Sequence, residues 1–449
     1  MQAKYSYYSV IFCILALLSS LSITRRWGND VVQWDIKHYY LYLPATIIEH
    51  DPSLHFLNSD ATIYQDKTWK YTNEEGEYVY KMSGGLAFLY LPFFCLAHGA
   101  ALMYPETSAP TGYSLFYFLA LQCSLLFYVS IGLIYLRKFL LCFFNEITTA
   151  ITILLLFFGT NLFYYSFVEV MPHAYSFSLV AILCYYTIQY YQQATLQRII
   201  VIALTIGLIV WIRPVDIIIT AIFPLWGVYS LDSLKKRIQF FIQQKTHLLL
   251  LVLIPFLLWC IQSYYWHQTT GEWMYWSYVD EHFFFNHPHV WEGLFGFRKG
   301  WFIYTPLMLV ACLGFVLLAK YLKESRAIIY VLFPVFLYVT FSWWCWWYGG
   351  SVSCRPLIDF YAVMALGLGF MVQTTIHSKK FMGGVLLILL AFYGLFYNIQ
   401  YEREILHWDS MTYPSWKAGF GKLHMTDEYA RSFQKPDEEH QKKFGWERK

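Results

Sequence analysis

Charge is what this chain has least of. Only 14% of its 449 residues are Asp, Glu, Lys or Arg, and 58% are hydrophobic, whereas a soluble domain carries roughly 25% charged residues. The shortage is uneven: long apolar runs alternate with loops that hold most of the charge. That pattern excludes a water-soluble globular chain. Runs of about 20 apolar residues satisfy their own backbone hydrogen bonds as helices, which a bilayer demands, and the mean hydropathy of +0.41 agrees. No nucleic-acid-like basic patch is present, so nucleic acid is not an expected partner. The nine cysteines show no metal-ligand spacing. Most, such as Cys123, Cys184 and Cys260, sit in apolar runs where a thiol packs as a small hydrophobe. Cys345 and Cys354 share one aromatic loop and can pair if it faces an oxidising compartment. The first apolar run has no basic leader beyond Lys4 and no small-residue cleavage site, so it reads as a retained first helix. Low-complexity segments and internal repeats are absent as well.

Aromatics are plentiful, at 21%, and Trp and Tyr favour the membrane–water interface. The apolar runs fall at approximately 5–24, 84–104, 113–136, 147–167, 171–191, 197–212, 214–231, 246–266, 302–320, 327–344, 355–375 and 381–400. They predict an all-α polytopic membrane domain over 1–400, a bundle of about eleven (ten to twelve) transmembrane helices. Two large polar loops, 25–83 and 267–301, interrupt it, and a polar tail, 401–449, follows.

Basic clusters recur at every second junction from Arg137 onward: Arg137/Lys138, Arg198, Lys235/Lys236/Arg237, Lys320/Lys323/Arg326 and Lys379/Lys380. The positive-inside tendency assigns that face to the cytoplasm. The parity works with a cytoplasmic N-terminus if run 84–104, which opens on Gly84-Gly85 and contains Pro92, does not cross. It is then expected as a re-entrant or interfacial hairpin. Both large loops, the Glu169 and Arg213 junctions, the Trp-rich loop and the tail then face the extracytoplasmic side.

Several short motifs collect there. Asp35 follows the first helix and opens a Tyr-rich amphipathic stretch with Tyr39, which suits a carboxylate held at the membrane surface as a general base. An ordinary solvated acid is the plainer reading. Lys81 precedes Gly84-Gly85 and can hold a phosphate or merely snorkel. Glu169 and His173 flank Pro172 near membrane depth, where ionisable groups default to functional roles, although capping a helix junction also accounts for them. Arg213, between two runs with almost no loop, suits phosphate oxygens or a local pair with Asp216. Arg298 lies in a glycine-flanked basic stretch, which fits anion binding. Trp343-Trp344-Cys345-Trp346-Trp347-Tyr348 leads through two glycines to Arg355; it reads as an aromatic belt or as a binding loop.

Asp35, Lys81, Glu169 to His173, Arg213-Pro214, Phe297 to Tyr304 and the Trp343 to Arg355 loop together resemble the GT-C superfamily of polytopic glycosyltransferases. The group of lipid A aminoarabinose transferases and protein O-mannosyltransferases is the nearest in character. The resemblance implies a GT-C-like bundle with extracytoplasmic juxtamembrane helices in the inner (plasma) membrane. It implies inverting transfer from a polyprenyl-phosphate-linked sugar to a lipid, polysaccharide or protein acceptor on the periplasmic side. Asp35 would be the base, assisted by Glu169; Lys81, Arg213, Arg298 and Arg355 would hold the donor phosphate. His173, Tyr39, Trp347 and Tyr348 would contact acceptor or sugar. No resident cofactor is expected, and a divalent metal is left open. Two departures stand out: Ile36 follows Asp35 where a second acid is common, and Met82-Ser83-Gly84 follows Lys81 where prolines are common. The same outward charges also suit a polymerase or ligase of undecaprenyl-diphosphate-linked glycans, or a non-enzymatic transporter or scaffold.

Overall fold

The computed structural model describes residues 4–58, 64, 67–68, 71–425 and 427–447. Among these the chain is helical, with no strand beyond two isolated bridges, Thr72 to Tyr78 and Phe283 to Trp343. The long helices are α1 (Tyr5–Thr24), α2 (Ile36–Leu43), α3 (Gly85–Met103), α4 (Leu115–Leu140), α5 (Glu146–Phe158), α6 (Pro172–Gln192) and α7 (Leu196–Ile212). After them come α8 (Leu231–Gln243), α9 (Lys245–Thr270), α10 (Leu307–Leu318), α11 (Phe333–Phe341), α12 (Tyr361–His377) and α13 (Phe381–Glu402). The tail holds the short helices α14 (Tyr413–Gly419) and α15 (Glu438–Phe444), with a single turn, Asp427–Ala430, between them. Among the described residues, seven helices are long and apolar enough to cross a membrane, and four shorter apolar ones accompany them. This is an all-α polytopic membrane protein.

Polar breaks shape the bundle. The run expected over 147–167 stops at Gly159-Thr160-Asn161 and resumes as the single turn Leu162–Tyr165. Thr160 and Asn161 are buried there, and the Asn161 amide donates to the Val352 carbonyl at 3.1 Å. The run expected over 214–231 becomes the short turns Pro214–Asp216, Ile217–Thr220 and Ile222–Leu225, then the separate helix α8. Run 302–320 is divided at Thr305-Pro306. In each case backbone groups freed by the break are met by neighbouring side chains, as membrane depth requires.

Run 84–104 is not a hairpin. It forms one continuous helix, α3, through Pro92. A proline within a helix need only remove one hydrogen bond, and neighbouring helices compensate. The start of α3 lies against the end of α7: a Cβ on Gly85 would stand 2.4 Å from the Trp211 carbonyl carbon. Near its other end, His98 Nδ1 is 2.6 Å from the Tyr117 hydroxyl, in the first turn of α4.

The basic junctions gather at one end of the bundle. Arg137 Nε donates to Ser6 Oγ at 2.7 Å, and Arg137 pairs with Glu146 at 3.1 Å, which joins the start of α1 to the α4–α5 turn. The Gly227 amide donates to the Glu324 carbonyl at 2.8 Å. At the opposite end, Tyr42 donates to the Met82 carbonyl at 2.6 Å and Ser83 to the Ile212 carbonyl at 3.0 Å, so the first loop is stitched to the bundle.

Helices α10 and α12 cross backbone to backbone. A Cβ on Gly314 would stand 2.1 Å from the Gly367 carbonyl oxygen, and one on Gly367 would stand 2.2 Å from that of Ala311. Small residues that let backbones approach in this way stand in for the hydrophobic drive that lipid does not supply. Gly367→Leu should therefore lower stability by about 1–3 kcal/mol or more through overpacking, read as a lower melting temperature in detergent. Gly384, with nothing within 4 Å of its added Cβ, serves as control, and equal melting of the two leucine variants would contradict this account.

Candidate active site

The connection between α1 and α3 carries the first loop to the end of the bundle where Tyr42 meets the Met82 carbonyl and Ser83 the Ile212 carbonyl. Asp35 lies at the start of α2, whose Tyr39, Tyr40, Leu41, Tyr42 and Leu43 are all buried, so the helix is anchored by its own aromatic face. Asp35 itself stays partly exposed and faces a cavity of about 820 Å³. Its walls come from widely separated stretches: Asp35 and Tyr39, Lys81, His173, Arg213, the segment Met274–Glu281, and Trp343, Trp344, Tyr348 and Arg355. One flank is apolar, with Ile217, Ile218, Trp259, Trp266 and Val339.

Each of the three cations on this wall is met by an acid. Arg355 donates from Nη2 to Asp35 Oδ2 at 2.9 Å and from Nη1 to the Gly350 carbonyl at 3.2 Å. Lys81 pairs with Glu281 at 2.5 Å and lies 5.2 Å from the Tyr71 ring centre and 5.8 Å from that of Tyr278. Arg213 donates to Asp359 at 2.5 Å and approaches Asp216 at 3.9 Å. His173 Nδ1 lies 2.7 Å from Arg213 Nη1 and 3.1 Å from Asp359 Oδ1. A guanidinium can only donate and a carboxylate only accept, so this one ring nitrogen bonds one of the two at a time, accepting in one tautomer and donating in the other.

Three residues expected at the site do not line the cavity: Arg298, Trp347 and Glu169. The Arg298 guanidinium forms a two-point ion pair with Glu447 and lies 5.1 Å from the Trp347 ring centre. The glycine-flanked basic stretch thus contacts the tail. Trp347 is 1% exposed, so it supports the loop and presents no face to a sugar. Its neighbour Tyr348 does line the cavity, held by a 2.7 Å bond from its hydroxyl to the Thr340 carbonyl. Cys345 and Cys354 are both free thiols, and the pairing that their shared loop allows is not made.

Glu169 stands behind this wall. It lies in the connection before α6, outside the lining residues. Burial pushes its carboxyl up to about 7, with Arg355 pulling it down and Asp35 pushing it further up. Lys299, next to the displaced Arg298, is itself buried; burial and Arg355 lower its ammonium to about 7, and it donates to the Ser351 carbonyl. Among the described residues no three His, Cys, Asp or Glu side chains form a cluster that could hold a metal ion.

Reading motifs alone missed Glu281 and Asp359. Asp359 carried a usable signal, a single acid inside the apolar run 355–375, where an ionisable group is costly unless partnered. Glu281 carried none, because an acid in a polar loop is unremarkable until Lys81 is seen opposite.

No protein-family model, no curated protein and no solved structure matches this chain.

Arg298→Ala or Glu447→Gln should free the tail, at a cost of about 1–3 kcal/mol because each leaves a largely buried partner unpaired. Hydrogen exchange over 438–447 should quicken in both variants. Slow exchange in both would contradict the anchoring role. For Glu169, a carboxyl raised from 4.5 to about 7 binds an extra proton in the folded state between those values. Its contribution to stability is present below about pH 4.5 and lost as pH rises through about 7. Glu169→Gln should therefore raise the melting temperature at pH 8 and give no comparable gain at pH 5; the same gain at both would remove the burial argument.

Proposed function

We propose that the protein transfers a sugar from a polyprenyl-phosphate-linked donor to an acceptor at the extracytoplasmic face of the inner membrane, in the manner of the GT-C enzymes it resembles. The observation that carries this reading is convergence. Asp35, Lys81, Arg213 and Arg355 come from four distant stretches and line one cavity with an apolar flank suited to a prenyl chain. Charges of opposite sign around an amphipathic cavity are what a phosphate leaving group and a hydroxyl nucleophile require.

In this reading Asp35 accepts the acceptor's hydroxyl proton, and the oxygen attacks the anomeric carbon from the side opposite the phosphate. The bond to the phosphate oxygen breaks with its electron pair, and the lipid phosphate leaves under the charge of Arg355, Arg213 and Lys81. Because Arg355 holds Asp35 at 2.9 Å, arrival of the donor phosphate would draw the guanidinium away and free the carboxylate. Arrival of the phosphate and release of the Asp35 carboxylate are thus linked through one arginine. Tyr39, His173 and Tyr348 border the same space and are assigned to acceptor or sugar.

The topology that goes with this reading has about eleven crossings: α1, α4, α5, α6, α7, the turns of Pro214–Leu225, α9, α10, α11, α12 and α13. Its support is that α3 has one end against the end of α7 and the other beside the start of α4, so α3 stays on the cavity side. Basic junctions then all fall in the cytoplasm.

Asp35→Asn should abolish transfer while leaving the detergent-solubilised protein folded. Arg213→Ala and Arg355→Ala should each weaken donor binding by about 1.5–3 kcal/mol, the range for a charge-assisted hydrogen bond. The measurement is mass spectrometry of surface glycans from a deletion strain complemented with each form. A glycan lost on deletion should return with the native gene and not with Asp35→Asn; an unchanged profile on deletion contradicts the proposal.

A further inference from the structure

At the basic end of the bundle the chain leaves the membrane-spanning helices for α8. Ser230 caps it by accepting from the Ser233 amide at 3.2 Å, and none of its residues is buried. At 100° per residue, its side chains divide into three faces.

One face holds the helix to the protein. Arg237 donates to the Trp226 carbonyl and stacks 3.5 Å from the Tyr191 ring centre, while Phe241 packs on Phe223 with ring centres 5.6 Å apart. A second face is polar: Asp232, Lys235, Lys236 and Gln239. The third consists of Leu231, Leu234, Ile238 and Ile242, within an arc of about 80°. They are 78%, 36%, 51% and 59% exposed.

A four-residue apolar stripe left uncovered next to a cationic face is the signature of a helix lying in a membrane interface. Two further observations name the occupant. The stripe is continuous with the bilayer surface of the protein, because α9 begins at Lys245 and exposes Leu248, Leu249, Val252 and Leu253. The charge around it is positive. The only carboxylate on α8, Asp232, is paired with Lys236 at 2.8 Å. Lys235 and Lys245 are exposed, and Lys323, 4.8 Å from the Tyr229 ring centre, extends the patch onto the neighbouring turn.

We propose that α8 is an in-plane helix that binds anionic phospholipid in the leaflet on the basic side of the bundle. The Leu231–Leu234–Ile238–Ile242 stripe lies among acyl chains, and Lys235, Lys245 and Lys323 meet headgroup phosphates. This binding is independent of sugar transfer and does not depend on which compartment that leaflet faces.

The test uses full-length protein in nanodiscs of phosphatidylcholine with and without phosphatidylglycerol. Native mass spectrometry should show several-fold enrichment of retained phosphatidylglycerol, and hydrogen exchange over 231–243 should slow in its presence. The variant Lys235→Gln with Lys245→Gln and Lys323→Gln should lose most of the enrichment. Leu234→Glu with Ile238→Glu should lose the exchange protection while keeping the native melting temperature of the rest of the bundle. Equal retention of the two lipids by the native protein, or enrichment unchanged in the triple glutamine variant, overturns the proposal.

Discussion

A guanidinium keeps its proton under all ordinary conditions, so an arginine held near membrane depth must be met by an acid. That constraint organises this molecule. Arg355 takes Asp35 and Arg213 takes Asp359; Lys81 takes Glu281 in the same way. Each partner comes from a distant part of the chain. The three pairs therefore act as long-range cross-links, tying the first loop to the segment after α11, the end of α7 to the start of α12, and the start of α3 to the loop after α9. Removing one partner from such a pair is costlier than the pair's net contribution, because a partly buried charge is left behind.

The same pairing shapes the chemistry. A cavity whose cations are all internally neutralised is not a preformed anion trap. An anion entering it must compete with a resident carboxylate, which reduces binding of small anions and favours a ligand that supplies further contacts along the apolar flank. The proposed donor, a phosphate attached to a long prenyl chain, would meet that requirement, and inorganic phosphate would not.

Much of this architecture was legible beforehand. Outside the three runs that polar residues break, the apolar runs located the helices to within a few residues, since a 20-residue apolar segment has few alternatives in lipid. Asp35, Lys81, Arg213 and Arg355 stood out for the same reason, as charges at helix ends in a chain short of charge. What could not be read was pairing. Arg298 looks like Arg355 in sequence, each beside glycines and aromatics, yet one meets Glu447 and the other Asp35. Nothing local distinguishes them, because the partner lies more than a hundred residues away in both cases. The form of α3 was misjudged because Gly84, Gly85 and Pro92 each weaken a helix in water. Here Gly85 serves close approach to α7, and Pro92 is carried by its neighbours.

Helix α9 has a different status from the rest. Only Gln262, Trp266 and Thr269 on it are buried, although Trp259 and Trp266 form part of the cavity wall. By contrast, α10 and α12 are locked backbone to backbone. Helix α9 thus carries the cavity wall on its inner side and an apolar, uncovered surface on its outer side, so a single layer of side chains separates the two.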